Sequence, residues 1–130
     1  EIDKASARPD FAVPIYPVVS LTEWYTHKGS WRNLVVDDTD PKPVEKLSNE
    51  KQVTSKNPPT FLMSTWEDTG VPPENTIAFY VALHKAKVPA EMHIFAKGPH
   101  GVGLGRHIPG TRAWPELCAE WMRVSGFLDK

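Results

Sequence analysis

Pro58-Pro59-Thr60-Phe61-Leu62-Met63-Ser64-Thr65-Trp66-Glu67-Asp68-Thr69-Gly70-Val71-Pro72-Pro73 is the stretch around which the chain is organised. An apolar run, Phe61 to Met63, leads through Ser64 and Thr65 to two adjacent carboxylates, and a glycine and a proline pair follow. That order predicts a strand over Thr60–Thr65, a sharp turn and a helix start, because glycine tolerates positive φ and proline suits the first helical position. In parallel α/β sheets, ligand sites lie beyond the carboxyl ends of the strands. Asp68 is therefore a site candidate. Aspartate also caps helices and closes turns, and this stretch alone leaves both readings open.

Downstream, Pro73 to Lys87 reads as a helix, with Glu74 at the front and Lys85 and Lys87 at the back, where those charges suit the macrodipole. Glu91–Ala96 is a second strand, and Lys97 to Gly105 a glycine-rich loop directly after it. Trp114, Leu117, Cys118, Trp121 and Met122 recur at helical spacing, opened by Pro115 and closed by Gly126.

Upstream, Phe11–Val19 has the apolar, β-branched composition of a buried strand. Pro14 and Pro17 each lack a ladder donor, so an edge strand is expected. Residues 20–57 show no clear period and are expected to form a cap or loop insertion. Within them Asp37 to Pro43 reads as loop and Pro43 to Leu47 as a short helix. Trp24, Tyr25 and Trp31 either line a pocket and stack on a sugar ring or pack this segment onto the body. Trp66, on the acid turn, is a further candidate substrate contact. Strands alternating with helices predict an α/β fold of three parallel strands with flanking helices.

At 130 residues the chain is one domain or less, and an apolar share of 40% marks it as globular. Thirteen prolines, about twice the usual ~5%, punctuate short segments. A net charge of −1 with scattered Lys and Arg offers no footprint for nucleic acid, and no apolar run is long enough for a membrane helix. The single cysteine, Cys118, excludes an internal disulfide; on a helix stripe it reads as a core residue. The chain opens Glu1-Ile2-Asp3-Lys4 without Met, as a processed or truncated chain does. The compartment stays unassigned, with secreted or periplasmic location compatible.

His100 sits among Gly98, Gly101, Gly103 and Gly105 just past a strand, where small neighbours let another group approach its ring. An imidazole can serve there as general base if something holds its tautomer. Asp68, at the end of the adjacent strand, is the evident partner. His107 follows Arg106 past the loop and is a candidate substrate contact. His84, His93, His100 and His107 match no common metal-ligand spacing, so no metal site is expected.

From Arg8 onward the chain resembles the C-terminal half of a serine α/β-hydrolase, in particular the acetyl-xylan-esterase-like carbohydrate esterases. Asp68-Thr69-Gly70-Val71-Pro72 is similar to that branch's acid turn, Asp-x-x-Val-Pro, and Gly98 to Leu104 to its histidine loop, Gly-x-His-Gly-x-Gly-Leu. Ile15 to Ser20 resembles the strand before its cap, and Trp114-Pro115 to Phe127-Leu128 its last helix. The resemblance implies Asp68 as triad acid, His100 as base, an ester or acylated sugar as substrate, and no cofactor. It departs in one large respect: none of Ser6, Ser20, Ser30, Ser48, Ser55, Ser64 and Ser125 stands in a Gly-x-Ser-x-Gly elbow, and no oxyanion-hole motif is present. The expectation is a C-terminal portion whose nucleophile lies in an N-terminal half, with the edge by Phe11–Val19 pairing with that half or with a second copy. Dienelactone-hydrolase-like and prolyl-peptidase-like enzymes share these features, and a truncated, non-catalytic binding domain is the alternative from another class.

Overall fold

In the computed structural model, residues 6–35 and 41–129 are described. Two strands, β1 (Thr60–Thr65) and β2 (Ala90–Phe95), pair in parallel with Thr60 opposite Ala90 and Thr65 opposite Phe95. The helix α3 (Glu74–Lys85) connects them, and α4 (Trp114–Val124) follows. All six β1 residues are buried. The alternation of side chains along a strand explains this, because both faces of β1 are covered. Phe61 and Met63 face Cys118 and Trp121 of α4, while Leu62 faces Leu83 of α3 and Val88. Phe61, Leu62 and Met63 are fully buried, each contributing about 1.5–3 kcal/mol by leaving water.

The two long helices end as their residues dictate. Past α3, Lys87 takes a φ of 60° and lets the Val88 N–H reach Leu83 O at 3.0 Å. Past α4, Gly126 has a φ of 78° and Phe127 N–H donates to Met122 O at 2.8 Å. Both are left-handed helix exits that satisfy late carbonyls.

The expected third strand is not a strand. Residues 11–19 run parallel to β1 but touch it through two isolated bridges, Ala12 to Thr60 and Ile15 to Met63. Ala12 makes both of its ladder bonds, to Pro59 O and from Phe61 N–H, each 2.9 Å. Pro14 accepts from Met63 N–H at 3.2 Å but has no N–H to return. Tyr16 donates to Met63 O at 2.6 Å and then turns away with a φ of 41°. A missing donor and a left-handed residue thus break the ladder that composition predicted. On the other side of this segment, the backbone groups of Val13 and Ile15 pair with nothing among the described residues.

Residues 20–57 are more helical than expected. A helix, α1 (Lys28–Leu34), forms where no period was visible. His27 Nδ1 accepts from the Ser30 N–H at 3.1 Å and so caps it. Gly29 permits this fold-back, since a Cβ there would stand 2.9 Å from the His27 ring. The second short helix, α2, spans Pro41–Leu47, so Pro41 and Lys42 are helical rather than loop. The expected loop at 37–40 and the first half of the polar lead-in lie outside the described residues. Among the described residues no helix is long and apolar enough to cross a membrane.

Candidate active site

The end of β1 delivers Asp68. Its carboxylate is completely buried. Oδ1 accepts the N–H groups of Gly70 and Val71 at 3.0 and 2.8 Å, which closes the turn and fixes the side chain. Oδ2 accepts from His100 Nδ1 at 2.8 Å. An ionised carboxylate only accepts, so with this partner Nδ1 carries the proton and Nε2 keeps a free lone pair. The His100 side chain is 43% exposed. A buried acid orienting a half-open imidazole is the arrangement a general base requires.

The loop after β2 is tied to the end of β1 at three points. Thr65 Oγ1 donates to Gly98 O at 2.6 Å. Glu67 accepts from the Gly98 N–H at 3.0 Å and from Lys97 Nζ at 2.6 Å. Glu67, the neighbour of Asp68, thus faces the histidine loop's stem and leaves the imidazole to Asp68. The Lys97 hydrogen bond, then the Gly98 N–H, hold the Glu67 carboxyl below the usual carboxylate range. Thr111 Oγ1 also donates to Lys97 O. Gly98 must be glycine: its φ is 126°, and a Cβ would stand 2.8 Å from Val102 Cγ1.

Two aromatic features complete the surroundings. The Tyr16 ring meets the His100 imidazole edge-on, with centroids 4.8 Å apart. Trp24 and Trp66, 78% and 73% exposed, line one cavity of about 330 Å³ together with Asp68, Thr69, Pro72, Pro73 and Glu74. Trp31 is half-buried on α1 and His107 is exposed; neither lines a cavity beside Asp68. Burial pushes the Cys118 thiol up, Glu91 adding to the effect, which suits its place in the core and not a nucleophile.

Sequence reasoning missed Tyr16, the Glu67 clasp and Asn75. Asn75 is fully buried; Oδ1 accepts from the Val19 and Ser20 N–H groups at 3.0 and 3.1 Å, and Nδ2 donates to Tyr25 O at 3.0 Å. It ties the start of the cap to the acid turn. Its local signal was slight, a polar residue between Glu74 and Thr76 in the first turn of the helix.

The model of the prolyl oligopeptidase family matches residues 4–122. The chain belongs to the prolyl oligopeptidase family. This family member is 39% identical over 97 residues to endo-1,4-beta-xylanase B of Butyrivibrio fibrisolvens, covering 75% of the chain and 15% of that protein. It is 34% identical over 102 residues to the acetylxylan esterase of Xylanibacter ruminicola, covering 75% of the chain and 21% of that protein. Among solved structures, the acetyl ester-xyloside bifunctional hydrolase from Caldicellulosiruptor lactoaceticus is 43% identical, superimposes with a TM-score of 0.92, and is matched over 98% of this chain and 46% of its own. The fold is therefore that of an α/β-hydrolase. The chain spans about a fifth or less of the two curated relatives and under half of the solved hydrolase.

Proposed function

We propose that this chain is the C-terminal portion of a serine ester hydrolase, with residues 20–57 as its cap insertion, and that it supplies the acid and base of the triad. The observation that carries this reading is the 2.8 Å hydrogen bond between buried Asp68 and half-exposed His100. The serine comes from sequence preceding these residues in a longer polypeptide. The unpaired backbone edge at Val13 and Ile15 supports such a neighbour, since an open strand edge invites a further strand. Acetylated carbohydrate is the substrate class, by analogy with the acetylxylan esterase and the acetyl ester-xyloside hydrolase.

In this mechanism the serine Oγ attacks the ester carbonyl while His100 Nε2 takes its proton. Asp68 holds Nδ1–H and stabilises the imidazolium that forms. Collapse of the tetrahedral intermediate expels the alcohol, which leaves with the proton from His100. Water, deprotonated by the same Nε2, attacks the acyl-serine. Collapse then releases the carboxylic acid and returns the proton to serine.

The test is hydrolysis of 4-nitrophenyl acetate and of acetylated xylo-oligosaccharide by the longer polypeptide, with and without His100→Ala. The substitution is expected to lower kcat by several orders of magnitude, because triad members act as a unit. Turnover that survives His100→Ala unchanged overturns the proposal.

A further inference from the structure

The cavity between Trp24 and Trp66 does not stand alone. A second cavity of about 330 Å³ runs from Trp24 past Tyr25 and His27, and the two share Trp24, Thr69 and Pro72 as walls. Together they form a groove along the acid turn, with Trp24 between its halves. Its position is tied to the reacting group: a Cβ built at Gly70, on the groove wall, would lie 3.5 Å from the His100 Cβ. Whatever occupies the groove is thus one residue away from the imidazole.

The groove is built from held parts. Trp24 packs edge-on against Tyr25 with centroids 5.5 Å apart, and the Tyr25 carbonyl is fixed by Asn75. Pro72 and Pro73 give a wall whose φ angles are preset. Two tryptophans left largely in water beside one cavity forgo burial of some of the largest apolar surfaces a side chain offers. A ligand that covers both would present a flat apolar face. It must also tolerate the Glu74 carboxylate and the Thr69 hydroxyl on the same walls. A pyranose meets both demands, with a face of C–H groups for the indoles and a rim of hydroxyls that donate to carboxylate and hydroxyl oxygens. A long acyl chain fails the second, because it would desolvate Glu74 without offering a donor.

We infer that this groove is a glycan subsite, in which Trp24 and Trp66 stack on neutral pyranose rings of the substrate's alcohol part. The inference rests on the ester-hydrolase reading for what reacts at His100, but the groove is tested separately. The experiment is calorimetric titration of the longer polypeptide with xylotetraose, which carries no ester. The unaltered protein is expected to bind it. Trp24→Ala and Trp66→Ala should each weaken binding about tenfold, and Trp24→Tyr should retain part of it. In parallel, the ratio of kcat/KM for acetylated xylotetraose to that for 4-nitrophenyl acetate should fall about tenfold in both alanine variants. Absence of xylotetraose binding, or equal affinity in all variants, overturns the subsite even where 4-nitrophenyl acetate hydrolysis depends on His100. Selective loss of long-chain acyl esters in the alanine variants overturns it too, in favour of an acyl pocket. Tryptophan-dependent binding in a protein that hydrolyses no ester sustains the groove and sinks the esterase reading instead.

Discussion

The ring of Tyr16 stands edge-on to the imidazole of His100, with planes at 71°, and it does so from a backbone φ of 41°. A bulky residue at positive φ is strained, and such strain persists only where the surroundings over-determine it. Here the Tyr16 N–H is pinned to Met63 O at 2.6 Å, and Pro17 follows. Its ring flanks the imidazole on one side, which is the place of a positioning residue. Tyr16→Phe keeps the ring and is expected to retain most of kcat in the longer polypeptide. Tyr16→Ala is expected to lower kcat about tenfold with little change in KM, since it loosens the base and not the substrate. Steady-state kinetics check this; equal kcat in the two variants would remove the role.

Gly98 and Gly101 both have positive φ, yet they should respond differently to alanine. At Gly98 the new methyl meets Val102 Cγ1 at 2.8 Å; at Gly101 nothing lies within 4 Å. Gly101→Ala should cost only the conformational penalty, about 1 kcal/mol. Gly98→Ala should cost more and shift His100 away from Asp68. Denaturant unfolding, together with the imidazole proton resonances, separates the two outcomes.

Asn75→Ala is expected to destabilise the protein by about 2–4 kcal/mol in urea unfolding. It strands the buried N–H groups of Val19 and Ser20 without acceptors, and each such group costs about 1–3 kcal/mol. Asn75→Asp keeps the acceptor oxygen but loses the Nδ2 donors to Tyr25 O and Pro72 O. Its second carboxylate oxygen would face two carbonyl oxygens in a buried site, so the loss should be at least as large as for Asn75→Ala. A loss under about 0.5 kcal/mol for Asn75→Ala would show that water replaces the side chain.

The Glu67–Lys97 clasp predicts a pH dependence. The Glu67 carboxyl is lowered from its ordinary value of 4.5, chiefly by the Lys97 hydrogen bond. A depressed acid contributes stability that is present above its unfolded-state pKa and is lost as pH falls through the folded one. Lys97 is raised from 10.5 by the same bond, so its contribution is lost only as pH rises through a value above that. The clasp should therefore hold across neutral pH and open in acid below 4.5. Hydrogen exchange at the Gly98 amide, corrected for intrinsic rate, should lose protection in that acid window, and Glu67→Ala should lack protection at neutral pH. Exchange that is indifferent to both changes would count against the clasp.

By itself the sequence determined the elements that carry their own local signal. Thr60–Thr65 stands where an apolar run before a turn put it, the helix from Glu74 where its length and end charges put it, and the Trp114–Met122 stripe where helical spacing put it. The meeting of Asp68 and His100 was also legible, since two parallel neighbours bring their carboxyl ends together whatever the loops contain. The tertiary structure decided the rest. Phe11–Val19 has strand composition, but pairing needs donors on one side and extended φ throughout; Pro14 lacks the donor and Tyr16 the extended φ. Helix α1 exists because the His27 ring folds over its first turn, a contact that helix propensity does not register. Glu67 and Asp68 are chain neighbours with opposite assignments, sorted by which backbone groups and side chains came within reach. Trp24 and Trp66 share a cavity where Asn75 ties the start of the cap to the acid turn. Periodicity encodes which face is buried; which distant groups then face one another is settled by hydrogen bonds that form only once the sheet is assembled.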